Sequence, residues 1–331
     1  MTINETKRDS VMVSVCMITY NHENYIREAI EGVLMQKTDF DIELIIGEDF
    51  SQDNTRLICQ EYSAKYPNII RLLSSNKNLG MMPNFVRTSE ACSGKYIALC
   101  EGDDYWIDPY KLKKQVDFLQ VNKDFAFCHH KMKILYDGND NEPDLSVQEG
   151  QKEVTTIEDL AKGYSQIYTA SCVYRNGLIN KLPDWFYKSP AGDYLLHMLH
   201  AQYGKIKCLP DIMGVYRVHR GGTWSNNDAI SKSEITAKVL QLMLNFFDPT
   251  INSILLNRYR NQCISLINHF KNDEVKCKYY SHQLIETDPF YLNEILEEYN
   301  LTMKNILNSK SYRLGNMIIK PLRFIKQFLF K

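Results

Sequence analysis

The chain has 331 residues, 44% of them hydrophobic and 24% charged, with a formal net charge of −1. That length holds one large α/β domain with a smaller annex, or two modest domains. The composition excludes disordered and collagen-like chains, and a charge so near zero offers no global field for nucleic acid. Nine cysteines are scattered, with no C-x-x-C pair, and Cys16, Cys100 and Cys128 lie in apolar runs. They read as buried, reduced thiols of a cytosolic protein. The N-terminus, Met1 to Ser10, is polar and lacks the apolar core of a signal peptide. No run approaches the roughly 18 apolar residues that a spanning helix needs.

Apolar runs and helical spacing alternate along the first 130 residues. Val11 to Ile18 is β-branched and apolar and predicts a buried strand, stopped at Thr19-Tyr20-Asn21. Glu23 to Gln36 carries Tyr25, Ile26, Ala29, Ile30, Val33 and Leu34 at helical spacing. Ile42 to Gly47 predicts a second strand, ending at Glu48-Asp49, and Thr55 to Tyr66 a helix stopped by Pro67. Strands at Ile69 to Leu73, Lys95 to Cys100 and Phe125 to His129 alternate with helices at Asn84 to Cys92 and Pro109 to Val121. Short connections between alternating strands and helices predict a mostly parallel sheet with helices on both faces. In such a sheet, ligands bind outside the carboxyl ends of the strands. Polar and acidic residues cluster at those ends here: Thr19-Tyr20-Asn21, Glu48-Asp49 and Glu101-Gly102-Asp103-Asp104.

Asp137 to Glu153 has no apolar period and reads as a surface loop. Beyond it, Ala191-Gly192-Asp193 opens a helix to about Tyr203, and Lys205 to Leu209 and Ile212 to His219 read as strands. From about Ala229 the pattern is helical to the end. The expected organisation is a tail over residues 1–10, an α/β domain over 11–225, and a helical region over 226–331. Within the α/β domain, a first half covers about 11–135 and a second about 154–225.

Adjacent acids after a buried strand suit Mg²⁺ or Mn²⁺, which takes one or two carboxylates plus phosphate oxygens rather than a closed protein cage. Asp103 and Asp104 are such a pair, although a solvated acidic turn has the same sequence. Asp193 is either a helix cap or a general base. His197 and His200 share a helical face with it and read as core or rim histidines more readily than as a metal cluster. His219, near a strand end, is a further candidate for the metal or a diphosphate.

Taken in order, these segments resemble family 2 glycosyltransferases of the GT-A fold, of the type that builds bacterial cell-surface polysaccharide and lipopolysaccharide. The resemblance runs through VSVCMITYNHENYIREAIEGVLMQ, IELIIGEDFSQDNT, NKNLGMMPNFVRTSEACSGKYIALCEGDDYWIDPYKLKKQVDFL, AGDYLLHMLH and VYRVHRGG, about residues 11–220. It implies a Rossmann-like GT-A sheet and inverting, single-displacement transfer from a nucleotide-sugar donor, UDP-linked by default, to a glycan or lipid-linked glycan. By the same resemblance the first half of the α/β domain binds a nucleotide and the second an acceptor, and Thr19, Tyr20 and Asn21 line the nucleotide site. Asp49, with Glu48 beside it, binds the base or ribose. Asn78, Gly80 and Asn84 shape the donor pocket. Glu101 to Asp104 stands where the family has its DxD motif, so Asp103 or Asp104 holds Mn²⁺ or Mg²⁺. Asp193 stands where the family has its base. Two departures are visible: ExD replaces DxD, and Gly192-Asp193 replaces the family's E-D pair.

The last 31 residues hold seven Lys or Arg and no acid. Lys320, Arg323 and Lys326 fall opposite Ile318, Leu322, Ile325 and Leu329 on a helical wheel. Such a helix suits peripheral contact with an anionic membrane or packing onto the domain. Two rival functions share these features. A nucleotidyltransferase would carry a glycine-rich loop where Thr-Tyr-Asn-His-Glu-Asn stands. A non-catalytic binding module would not need Asp49, Asp103, Asp104 and Asp193 together.

Overall fold

The computed structural model describes residues 11–136, 145–147 (backbone only), 149–163, 166–222, 224 and 227–288. The chain divides into two compact units, residues 1–228 and 229–331.

The first unit is built on one mixed sheet. The strands are β1 (Val13–Thr19), β2 (Ile42–Glu48), β3 (Ile70–Ser74), β4 (Tyr96–Leu99), β5 (Tyr105–Trp106), β6 (Phe125–Tyr136), β7 (Leu145–Val147), β8 (Val154–Thr155), β9 (Val173–Arg175) and β10 (Lys205–Val218). The spatial order is β3-β2-β1-β4-β9-β6-β10-β5, with β7 on β6 and β8 on β10. Helices α1 (Ile26–Leu34), α2 (Thr55–Lys65), α3 (Met81–Glu90), α4 (Lys111–Val121), α5 (Ile157–Ala161) and α6 (Asp193–Ala201) join them.

Strands β3, β2, β1 and β4 are mutually parallel. Val13, Val15, Met17, Leu44, Ile45 and Ile46 are buried because both faces of these strands are covered. The chain goes outward from β1 to β2 and β3, then returns to β4 on the other side of β1. That reversal opens a crevice at the carboxyl ends of β1 and β4. Strand β9 is antiparallel to both β4 and β6, and β10 is parallel to β6. The carboxyl end of β10 therefore faces the same edge as that of β4.

Several element boundaries differ from the sequence reading. Lys205 to Leu209 and Ile212 to His219 form one strand, with register shifts between Leu209 and Gly214 that absorb Pro210. Helix α3 begins at Met81 rather than Asn84, because Gly80 takes φ 88° and Pro83 fits the first turn. Helix α4 starts at Lys111, two residues after Pro109. Strand β6 runs on past His129 to Tyr136. Within the stretch read as loop, Leu145–Val147 pairs antiparallel with β6; it is too short for a visible alternation. All nine cysteines are buried and free.

The second unit contains α7 (Ala229–Met243), α8 (Pro249–His269) and α9 (Glu274–Thr287). Asp248 caps α8 by accepting from Thr250 and Ile251 N–H, with Pro249 as its first residue. Leu240, Leu255, Tyr259, Cys263 and Leu284 are buried. Among the described residues no helix is long and apolar enough to cross a membrane. The basic segment 301–331 lies outside the described residues.

Candidate active site

Two loops leave the neighbouring strands β1 and β2 and are tied to each other. Asn21 donates its backbone N–H to Ser51 Oγ at 3.0 Å, and its Oδ1 accepts from Gln52 N–H at 2.8 Å. His22 N–H donates to Thr55 Oγ1 at 2.7 Å, and Glu23 N–H to Asp53 Oδ2 at 3.0 Å. Asn21 and Phe50 both take left-handed backbone, at φ 55° and 63°. Asparagine tolerates that region, whereas a bulky phenylalanine there is strained. Tyr20 and Phe50 are consequently left partly exposed, one at each strand end.

The other nucleotide-side residues divide into two groups. Asp49 is buried and accepts from Leu79 N–H at 2.8 Å and Gly80 N–H at 2.9 Å. Asn78 Oδ1 also accepts from Gly80 N–H at 2.8 Å. Asp49 thus fixes the Asn78–Gly80 turn at the head of α3. Glu48 and Asn84 are turned into the protein, contrary to a donor-facing placement. Glu48 is fully buried and accepts from Arg56 Nε at 2.6 Å and from Ser51 N–H at 2.6 Å. Asn84 donates to Gly47 O at 2.8 Å and accepts from Arg87 Nε at 2.9 Å. Their polar atoms are occupied in bracing the end of β2.

The turn after β4 explains its own sequence. A Cβ on Gly102 would meet Thr19 Oγ1 at 2.5 Å and Ile26 Cδ1 at 3.0 Å, so only glycine lets the acidic turn pack on β1. The three acids beside it point in different directions. Asp104 is buried and accepts from Arg217 N–H at 2.9 Å. Burial, then the charges of Asp103 and Glu101, push its carboxyl well above the usual range. Asp103 is partly open, with 21% of its side chain exposed, and its Oδ2 lies 3.0 Å from His219 Nε2 and 3.8 Å from His22 Nε2. Burial opposes its ionisation, but the His219 hydrogen bond and the two imidazoles outweigh it and hold its pKa low. Of the two candidate metal ligands, Asp103 is therefore the ionised and accessible one. Glu101 behaves differently again. Its Oε2 is buried without a hydrogen-bond partner, and burial with the charges of Asp103 and Asp193 raises its carboxyl to about 8.

Arg217 locks this turn to β10. Its guanidinium donates to Asp103 O at 2.8 Å, pairs with Glu28, and stacks on Tyr105 at 4.3 Å. His219, two residues later, packs on Tyr25 with ring centroids 4.7 Å apart. Tyr20, Asn21, His22, Asn24, Tyr25, His219 and Gly221 line a cleft of about 330 Å³. Among the described residues no three His, Cys, Asp or Glu side chains are already gathered as a metal cage.

Asp193 is the first residue of α6, and it is exposed. It does not cap the helix: the cap position is Gly192, and Asp193 Oδ1 accepts from the adjacent Tyr194 N–H at 2.7 Å. The surrounding protein mass raises its pKa although its tip reaches solvent. Its charge also helps to raise the Glu101 carboxyl, so the α6 terminus lies within electrostatic range of the acidic turn. A side chain at position 192 would meet Met82 Cε at 2.8 Å, which fits the glycine found where the family has an acid. His197 and His200 are core residues. His197 stacks on Phe127 and Tyr174 at 19° and 15°, and His200 lies 4.4 Å from Tyr174.

Sequence reasoning assigned no role to His22, Arg217 or Glu28. His22 follows Thr-Tyr-Asn directly and Arg217 precedes His219 by two, so proximity to the motifs was the available signal.

A family model described as glycosyl transferase family 2 matches residues 14–180. The chain belongs to glycosyltransferase family 2. It is 38% identical over 219 residues to the uncharacterized protein Rv1520 of Mycobacterium tuberculosis, a match covering 64% of this chain and 60% of the relative. Among solved structures it resembles S. aureus TarS in complex with UDP-GlcNAc, with 19% identity over 84% of this chain and 81% of that one, at TM-score 0.61. It also resembles mannosyltransferase PcManGT from Pyrobaculum calidifontis in complex with GDP-Man and Mn²⁺. That likeness has 13% identity over 96% of this chain and 87% of the other, at TM-score 0.55. The shared architecture is the GT-A fold. The chain spans about 60% of the length of the mycobacterial relatives it matches.

Proposed function

We propose that this family 2 glycosyltransferase moves a sugar from a nucleotide-sugar donor to a glycan or lipid-linked glycan by single displacement, within bacterial surface-polysaccharide synthesis. The observation that carries this reading is the division of labour among the crevice carboxylates. Asp103 is held ionised by His219, while Asp193 opens to solvent with a raised pKa. Environments that push carboxylate pKa values apart mark separate charge-holding and proton-moving roles.

Asp193 takes the proton of the acceptor hydroxyl as that oxygen attacks the anomeric carbon. The bond from that carbon to the diphosphate oxygen breaks, and the configuration inverts. Asp103 and His219 would hold a divalent cation, Mn²⁺ or Mg²⁺, with its remaining positions left for diphosphate and water. A divalent cation held there would supply positive charge against the negative charge developing on the leaving diphosphate. Tyr20 and Phe50 border the nucleotide, and Asp49 keeps the Asn78–Gly80 turn in place beneath it. The Mn²⁺ in the PcManGT complex and the UDP-GlcNAc in the TarS complex support this reading. UDP is the default donor nucleotide, and a thermal-shift screen of UDP-, GDP- and dTDP-sugars with Mn²⁺ tests it.

The decisive variant is Asp193→Asn. Transfer should fall at least about 100-fold while donor binding persists, as expected for loss of a general base. Full transfer activity in Asp193→Asn removes the base assignment.

A further inference from the structure

Two imidazoles approach one carboxylate oxygen from separate elements. His219 follows β10, and His22 lies in the loop after β1. Their Nε2 atoms stand 3.0 and 3.8 Å from Asp103 Oδ2. Neighbouring donors on one six-coordinate ion, each about 2.1 Å from it, lie roughly 3 Å apart. The observed spacings are close to that value, and one short approach by the His22 ring closes the wider one.

We propose that His22 is a ligand, with Asp103 and His219, of the divalent cation in the donor site, and that this two-imidazole, one-carboxylate set makes the site prefer Mn²⁺ over Mg²⁺. The inference rests on the reading of Asp103 as the cation-binding carboxylate. Three features support it. His22 Nδ1 lies 3.3 Å from Thr19 Oγ1, which orients the ring and directs Nε2 towards Asp103. An outer partner of this kind is the usual support of a metal-binding histidine. The loop carrying the ring is itself anchored, since His22 N–H donates to Thr55 Oγ1 at 2.7 Å. Finally, His22 and His219 line the same 330 Å³ cleft, with ring centroids 6.1 Å apart. Magnesium is a hard cation that takes oxygen ligands and dehydrates reluctantly, whereas first-row transition metals accept imidazole nitrogen. A purely structural His22 would merely hydrogen-bond to Asp103 and would not select the ion.

The test uses the full chain with Mn²⁺ and UDP. Pulsed electron paramagnetic resonance counts the imidazole nitrogens coupled to bound Mn²⁺, and titration followed by the free-Mn²⁺ signal gives its affinity. Wild type should show two coupled nitrogens, and His22→Gln and His219→Gln one each. His22→Gln should weaken Mn²⁺ about 10-fold, the lower end of what loss of a metal-site partner costs, with an unchanged melting temperature in chelator. Mg²⁺ should displace Mn²⁺ far more easily from His22→Gln than from wild type. Bound Mn²⁺ with a single nitrogen that survives His22→Gln overturns the role of His22 and leaves the Asp103 site standing. Equal displacement by Mg²⁺ in both proteins overturns the selectivity. Absence of Mn²⁺ binding even with UDP overturns the Asp103 reading as well.

Discussion

Replacing Glu101 by glutamine should make the protein more stable. Glu101 carries a buried, unpartnered Oε2, and burial with the neighbouring Asp103 and Asp193 raises its pKa to about 8. An unfolded glutamate titrates near its ordinary value of 4.5. Between those two values the folded state holds a proton that the unfolded state has released. A raised carboxyl pKa therefore lowers stability as pH rises from 4.5, with a slope of about 1.4 kcal/mol per pH unit, and levels off above 8. At pH 7 the penalty approaches roughly 3 kcal/mol, a large part of a typical folding free energy. Glutamine keeps the shape and the contact with Thr169 and never ionises. Urea melts of wild type and Glu101→Gln in chelator at pH 5, 6, 7 and 8 check this. The variant's advantage should be under about 1 kcal/mol at pH 5 and grow to roughly 4 kcal/mol by pH 8. A pH-independent difference, or a variant less stable at pH 8, refutes the reasoning.

His197 titrates with the opposite sign. Burial lowers it to about 3, so its contribution is intact above pH 6.5 and is lost as pH falls towards 3. His197→Phe, which keeps the stack on Phe127 and Tyr174, should flatten the acid limb of stability against pH by about 1.4 kcal/mol per unit below pH 6. An unchanged limb would mean that this ring is protonated in the fold. Gly102→Ala forces the acidic turn away from Thr19, and donor binding should weaken several-fold in a thermal-shift titration; wild-type affinity would show that the turn gives way freely. If the basic segment holds the protein at a membrane, removing residues 315–331 should shift it to the supernatant fraction, and equal partitioning of both forms would favour packing onto the domain.

The sequence by itself determined the α/β class and the crevice edge. Apolar runs such as Val11 to Ile18 and Ile42 to Gly47 can only be strands covered on both faces, and polar residues mark where each emerges. It also marked Asp49, Asp103 and Asp193 as candidates, because their place at the ends of apolar runs and at a helix start is visible without coordinates. Which acid is held ionised and which is pushed towards the neutral form was decided by tertiary structure. Asp103 and Asp104 are adjacent and chemically identical, yet β10 delivers the Arg217 backbone to one and the His219 ring to the other. Glu48 and Asn84 look like pocket residues in the motif and become braces only when Arg56 and Arg87 arrive from α2 and α3. His22 was invisible for the same reason. Its meaning lies in a carboxylate 81 positions away, brought close because the sheet returns β4 to the side of β1.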